Sequence, residues 1–429
     1  MKKLIFTLSA SLFALGSYAQ WNPVNDSIEM GATYLNNVYY SLLNGEVSTA
    51  PTNNWHLAFR TGMQTDGIRI NSATASGPND GSVKLYLFAK GDTSKWTTFD
   101  TAGYLTWNTY DNRDTTWEIG AFNAHAGTFP DVSWGTYDFS THEVNGDAIY
   151  LITYKNLGTT VFKKVWIMSK KAGDWKFRFA DIDGGNQKEI ELKNADHNSK
   201  NFVYYNLATE QVVTQEPDSK DWDFVLTRYN ALQSNATYAA ATGILTNVGV
   251  KTAKATGEGV GSMELSEYIA DTNVKINEIG YDWKYYEIVG PGGIWKTRDS
   301  LAYFVKDKNG VFWKLVFTSF GGAADGKTVF TKQQLTPGVS VPELSPINSS
   351  SVYPNPTNTS VNVLFDVNSD VQAQLTLLTI DGSAVLFRTV DGFSGLNTTE
   401  LDLSGLNSGI YFLQIRAEGY QATFKVVKN

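Results

Sequence analysis

The heptapeptide VFKKVWI at 161–167 returns as VFWKLVF at 311–317. Each copy closes a longer pattern, GDAIYLITYKNLGTTVFKKVWI at 146–167 and RDSLAYFVKDKNGVFWKLVF at 298–317. In both, an alternating apolar stretch, a glycine-containing turn and a second alternating stretch follow one another, which predicts a β-hairpin. Working outward, VYYSLLNGEVSTAPTNNWHLAF (38–59) answers VYYNLATEQVVTQEPDSKDWDFVL (203–226), and GIRINSATASG (67–77) answers GVKTAKATG (249–257). The matches keep their order, so the chain is read as two tandem copies of one β-rich domain, 20–195 and 198–336. The polar stretch KNADHNSKN (193–201) joins them.

A chain of 429 residues exceeds what one core fills, since single cores stop growing near ~250–300 residues. Its 22 Tyr, 23 Phe and 12 Trp favour pleated, half-buried surfaces, so the expected fold class is all-β. With 35 Lys and Arg against 43 Asp and Glu, the formal net charge is -8 and no basic run stands out. Nucleic acid is therefore not an expected partner. With no cysteine, disulfides, thiolate metal sites, cysteine nucleophiles and a lipid-modified N-terminal cysteine are excluded.

Residues 1–19, with two lysines, an apolar core and small residues before the cut, read as a secretory signal peptide cleaved after Ala19. No later stretch reaches the ~20 apolar residues of a membrane-spanning helix. Residues 337–349 carry Pro337, Pro342 and Pro346 among small polar residues and read as a linker. All 12 tryptophans precede it. The segment 350–429 is thus a different module, with short alternating strands and Asn, Gly and Asp turns that suit a small antiparallel sandwich.

Tyr353-Pro354-Asn355-Pro356, the turn TIDGSAV with Asp381-Gly382, DLSGLNSGIYFLQI (402–415) and the terminal KVVKN resemble the type A sorting domain of the Bacteroidetes type IX secretion system. The resemblance implies an Ig-like sandwich that the outer-membrane translocon reads. It places Pro354, Asn355, Pro356, Gly409 and Tyr411 in the sorting signal, and the protein on the outer-membrane surface or in the medium. VYYNL (203–207), DWDFVLTRY (221–229) and SLAYFVKDKNGVFWKLVFTSFGG (300–322) resemble the HmuY family of haem-binding surface proteins. NWHLAFRTG (54–62) and FKKVWIMS (162–169) match it more loosely. This second resemblance implies an all-β, non-enzymatic domain that holds haem between two axial side chains.

Haem iron takes imidazole, thioether, phenolate or thiolate donors. Of the four histidines, His125 in the small-residue loop NAHAGTFP is the foremost candidate. His56 is expected on a solvent-facing strand position, with Asp223 its counterpart, and His142 and His197 in solvated turns. Met63 in TGMQTDG and Met263 in GEGVGSMELS are the thioether candidates, one per copy. Asp221 and Asp223 are expected together on the solvent face, and Asp181, Asp183 and Asn186 in an ordinary Asp-Gly turn. The sequence carries no nucleophile elbow, HExxH helix or Walker loop. A second reading stays open beside haem or porphyrin: a glycan-binding or adhesive surface using Trp107, Trp117 and Trp134.

Overall fold

Alternating aromatic and β-branched residues turn nearly every patterned stretch into a strand. The computed structural model describes residues 23–77, 80–235, 237–257, 259–289, 292–335, 347–367, 370–380, 382–417 and 420–429. The expected signal peptide and linker residues 337–346 lie outside the described residues. Two units separate at Thr336/Pro337. The fold is all-β. Among the described residues the one α-helix is the single turn Leu265–Tyr268.

The larger unit begins with β1 (Val24–Glu29), β2 (Asn36–Ser41), β3 (Gly45–Pro51), β4 (Leu57–Arg60), β5 (Ile68–Ile70) and β6 (Lys84–Lys90). It continues with β7 (Thr109–Tyr110), β8 (Gly135–Asp138), β9 (Glu143–Gly146), β10 (Ala148–Asn156), β11 (Thr159–Lys171), β12 (Asp174–Ala180) and β13 (Lys188–Leu192). Next come β14 (Phe202–Asn206), β15 (Gln211–Val213), β16 (Phe224–Leu232), β17 (Tyr238–Thr246) and β18 (Lys251–Thr256). Last are β19 (Lys284–Val289), β20 (Gly292–Thr297), β21 (Leu301–Lys306), β22 (Phe312–Phe320) and β23 (Lys327–Leu335).

Two sheets run in parallel series. One orders its strands β13-β12-β11-β10-β6, the other β1-β23-β22-β21-β18. The two quoted hairpins are β10–β11 and β21–β22, and both copies shift register at the same place, between Ile167 and Ser169 and between Phe317 and Ser319. A bulge is a specified feature of a strand rather than noise, so its recurrence ties the two sheets closely.

The remaining strands do not stay with the sequence copy they come from. Strands β2–β3 pair with β16–β17, whereas β14–β15 pair with β4–β5. The VYY hairpin of each half completes the sheet of the other. Lobe 1 is consequently built by 52–215, and lobe 2 by 216–335 together with the N-terminal 23–51. Strand β1 seals lobe 2 by running antiparallel to β23, Asp26 opposite Phe330. The lobes therefore do not follow the join at 193–201.

The sequence pairing of 67–77 with 249–257 also shifts. Strand β5 sets Ile70, Arg69 and Ile68 opposite Leu57, Ala58 and Phe59, while β17 sets Thr246, Leu245 and Ile244 opposite Phe224, Val225 and Leu226. The true counterpart of GIRIN is thus Gly243-Ile244-Leu245-Thr246-Asn247. Segment 251–256 answers β6 instead.

Each lobe closes around its own core. Leu57, Phe59, Tyr150, Val165, Trp175, Phe177 and Tyr205 fill lobe 1. Tyr40, Phe224, Trp283, Tyr303, Leu315, Phe317 and Phe330 fill lobe 2. The central strands of the two four-stranded sheets are covered on both faces, because their second faces meet each other. Tyr39 packs edge-on to Trp222 with centroids 5.0 Å apart, and Tyr204 packs edge-on to Trp55 at 5.1 Å. The hydroxyls of Tyr39 and Tyr204 are hydrogen-bonded to each other. The loop after β7 reaches across as well, with Trp117 Nε1 donating to the Thr246 carbonyl at 2.7 Å.

The smaller unit is a two-sheet sandwich. Strands β24 (Ile347–Tyr353), β25 (Ser360–Val367) and β28 (Gly395–Asp402) form one sheet. Strands β26 (Val371–Leu378), β27 (Ala384–Gly392), β29 (Gly409–Ala417) and β30 (Tyr420–Lys428) form the other. Burial alternates strictly along β25, placing Val361, Val363, Phe365 and Val367 inside, as a half-buried antiparallel strand requires.

Candidate functional site

An apolar cleft of about 650 Å³ opens on lobe 1. Four segments shape it: the loop after β4, the loop before β8, the β8–β9 hairpin, and the end of β11 with its turn into β12. Their lining residues include Met63, Phe129, Tyr137, His142, Lys170 and Lys171. Ser133 and His142 are non-glycine residues with left-handed φ of 72° and 54°, a conformation held at some cost and enriched at functional sites.

The cleft's mouth is greasy. Met63 is 72% exposed, Phe129 61% and Phe139 65%. Phe129, Tyr137 and Phe139 pack against one another with centroids 5.4 to 5.7 Å apart. A contiguous apolar patch of this kind marks an interaction site on a protein in water. The Tyr137 hydroxyl lies 2.8 Å from His142 Nδ1. When Nδ1–H donates to that oxygen, Nε2 carries the free lone pair.

A cation lies at the cleft wall. Lys170 Nζ donates to the Gly62 carbonyl at 2.8 Å and to Thr65 Oγ1 at 3.2 Å, and sits 4.7 Å from the Trp175 ring centre. Burial pulls its pKa down to about 8, only partly offset by Asp66. Lys171 pairs with Glu143 at 3.4 Å on the rim. The cleft thus offers a thioether, an imidazole, aromatic walls and ammonium groups to one ligand.

The donors expected from the sequence separate. Only Met63 enters this cleft, joined there by His142, which stands exposed in the β8–β9 turn as its polar surroundings implied. His125 is exposed and lies 4.3 Å from the Tyr110 ring in a more polar cleft of about 580 Å³ with Tyr86, Arg113 and Tyr238. Met263 is 7% exposed and packs with Ala253, Ala255, Phe304 and Val316 in the core of lobe 2. Its carbonyl, not its sulfur, is engaged, accepting from Lys314 Nζ at 2.8 Å. Glycines around Met263 did not keep it outside, because the segment folds back over β18 and β21.

His56 and Asp223 are corrected too. Both are buried, His56 accepting from Leu207 N at 3.0 Å and Asp223 from Leu42 N at 2.7 Å. Alternation implied a solvent face, but the central strands of these sheets are covered on both sides. Asp221 is exposed, so the two carboxylates part company. His197 sits in a polar turn as expected, and Asp181 pairs with Lys163 and Asn186 in the Asp-Gly turn. Among the described residues no acidic or histidine cluster could hold a metal ion.

Of the tryptophans considered for glycan stacking, Trp134 is fully buried, Trp107 packs on Phe88 and Phe99, and Trp117 lies between the lobes. Among the described residues, the β19–β20 hairpin offers such a reading a cluster of exposed rings, Tyr285, Tyr286 and Trp295.

In the smaller unit, Asn355 ties the first loop to the last strand. Its Nδ2 donates to Lys425 O at 2.5 Å and its Oδ1 accepts from Val427 N at 2.9 Å. Pro354 and Pro356 flank it on the surface. Tyr411 is buried and its hydroxyl donates to Asn407 O at 2.8 Å. Gly409 opens β29 opposite Lys428 and has no left-handed φ, so no turn depends on it. Gly382, with φ 84°, makes the turn between β26 and β27, while Asp381 lies outside the described residues.

Comparison with protein families agrees with both units. Residues 198–332 match the HmuY protein family, a family of binding proteins rather than enzymes, and residues 351–429 match the secretion system C-terminal sorting domain. The HmuY match spans β14–β23, and no second copy is matched. No curated protein matches the chain. No helix among the described residues is long and apolar enough to cross a membrane. The protein is all-β, carries an HmuY-like domain, and is exported by type IX secretion to the cell surface or the extracellular space.

Proposed function

We propose that this surface protein binds haem or a related porphyrin in the lobe 1 cleft, and that lobe 1 is a second, diverged HmuY-like module. The observation that carries the reading is the meeting of Met63 and His142 in one apolar cleft beside Lys170. The residues fit the group: a flat macrocycle needs aromatic and aliphatic walls, iron takes imidazole and thioether donors, and propionates take ammonium groups. Bound haem would supply the iron, with Met63 and His142 as the side chains offered to it. Tyr137 orients the His142 ring, and Phe129 and Phe139 exclude water from the mouth. Lobe 2 offers no such pair, since Met263 is packed away.

The test is titration of the full mature chain with hemin, following the Soret band. Wild type is expected to shift the band, and Met63→Ala and His142→Ala each to change its position and raise the apparent Kd by about tenfold or more. A spectrum identical to free hemin, or one unchanged in both variants, overturns the reading. A glycan-binding role rests instead on Tyr285, Tyr286 and Trp295, and a glycan-array signal lost on replacing Trp295 by Ala would favour it.

A further inference from the structure

The two four-stranded sheets do not close completely where they meet. A slit with about 70 Å³ of internal space remains between β4–β5 of lobe 1 and β16–β17 of lobe 2. That is room for a few water molecules or a small organic ligand. Its lining includes Arg69 and Arg228 and no Asp or Glu.

Neither arginine makes an ion pair with a carboxylate of the described residues. Arg69, almost wholly buried, donates to the carbonyls of Thr116 at 2.8 Å, Ile119 at 3.3 Å and Arg113 at 3.2 Å, and stacks 5.1 Å over Trp117. Arg228 lies 5.1 Å over the Tyr34 ring, and its Nε is buried with no protein partner. Burial lowers the pKa of both guanidinium groups, yet an arginine stays charged. Asp111, Asp114 and Glu118 act on Arg69, and Asp80 on Arg228, from outside the lining, so it is the unpaired Nε of Arg228 that leaves the slit incomplete.

Three further polar atoms on lining residues lack protein partners, the Tyr229 hydroxyl among them. Trp55 Nε1 is a buried donor and Gln215 Oε1 a buried acceptor, on a side chain only 3% exposed. Buried polar groups are almost always paired, so unpaired ones of both kinds in one slit point to a missing molecule. Guanidinium and indole N–H donors suit a carboxylate, and the amide oxygen suits a hydroxyl or ammonium donor on the same molecule.

We propose that the slit between the lobes binds a small hydroxy- or amino-carboxylate, its carboxylate facing Arg228 and Trp55 and its hydroxyl or amino group donating to Gln215. The site is separate from the porphyrin cleft and shares no lining residue with it.

Thermal melting of the full mature chain tests this with sodium glycolate as probe, against sodium chloride and sodium acetate at equal ionic strength. Glycolate is expected to raise Tm saturably, acetate less, and chloride not at all. Arg228→Gln should raise the apparent Kd for glycolate roughly tenfold. Gln215→Glu, close in shape but placing a carboxylate in the slit, should abolish the response and serves if the first variant misfolds. Met63→Ala should respond as wild type does. A glycolate effect equal to that of chloride, or one that survives both slit variants, overturns the proposal and leaves the slit a solvent pocket.

Discussion

The Leu207 backbone N–H donates to Nδ1 of His56 at 3.0 Å, fastening the hairpin of one sequence half to a strand of the other. The same fastening recurs in lobe 2, where Leu42 donates to Asp223. Both acceptors sit one residue after a tryptophan and just ahead of their strand, and each also donates its own backbone N–H, to Tyr205 O at 2.9 Å and Tyr40 O at 2.8 Å. The reciprocal exchange of hairpins is thus held by matching pairs of bonds.

Only neutral His56 can accept that bond, and burial holds its pKa down at about 4. The folded value lies below the unfolded 6.5, so its contribution is complete above about pH 6.5 and is lost as pH falls toward 4. The loss is up to about 3 kcal/mol, from ~1.4 kcal/mol per pH unit. Replacing His56 with Asn keeps an acceptor without the titration. Melting of that variant should lose the acid-side decline over this window, and a decline of unchanged size would refute the assignment.

Glu216 acts with the opposite sign. It is buried between the lobes, its Oε1 accepting from Asn201 N and Phe202 N, and burial pushes its pKa up to about 7. A raised carboxyl contributes stability that is complete below the unfolded value near 4.5 and fades as pH rises through 7. Glu216→Gln retains the acceptor oxygen and removes the charge. It should gain up to about 3 kcal/mol over wild type at pH 8 and show little difference at pH 4. Denaturant unfolding at both pH values decides this.

Local pattern carried much of this fold. The hairpins β10–β11 and β21–β22 stand in the alternation of 148–171 and 301–320, because one edge-to-edge turn sets their register. The exchange did not stand there, for a physical reason. Leu57 faces Tyr205 in lobe 1 as Phe224 faces Tyr40 in lobe 2, so either VYY hairpin suits either partner strand and the pattern is silent on which it joins. The turn pattern gave the exposure of His142 but not its neighbour, since Met63 lies in a different loop and only the folded β8–β9 hairpin sets the two along one cleft. His56 and Asp223 were misplaced because alternation presumes a wet face that the central strands of these sheets lack.

Packing between the lobes gives a third expectation. Trp222 is fully buried against Tyr39, yet its Nε1 has no hydrogen-bond partner. Its value therefore lies in volume and ring contact rather than polarity. Trp222→Ala should cost roughly 3–5 kcal/mol, as removal of a large buried aromatic does, and Trp222→Phe distinctly less. Equal losses in the two variants, measured by denaturant unfolding, would show that the indole N–H matters after all.

The mode of closure leads to the sharpest test. Lobe 1 draws all its strands from 52–215, whereas lobe 2 needs β1–β3 from the N-terminal 23–51. Deleting 23–51 removes Ile28, Met30, Val38, Tyr40 and Leu42 from the lobe 2 core. It also strips the pairing from one side of β16 and of β23, leaving open edges that invite aggregation. Calorimetry of the deleted chain should show lobe 1 still melting cooperatively and lobe 2 without a transition. A synthetic peptide spanning 23–51, added in trans, should restore that transition in a concentration-dependent way. Were the hairpins unexchanged, the same deletion would strip β4–β5 of lobe 1 of their partners and spare lobe 2, so the lobe that loses its melting transition distinguishes the two topologies.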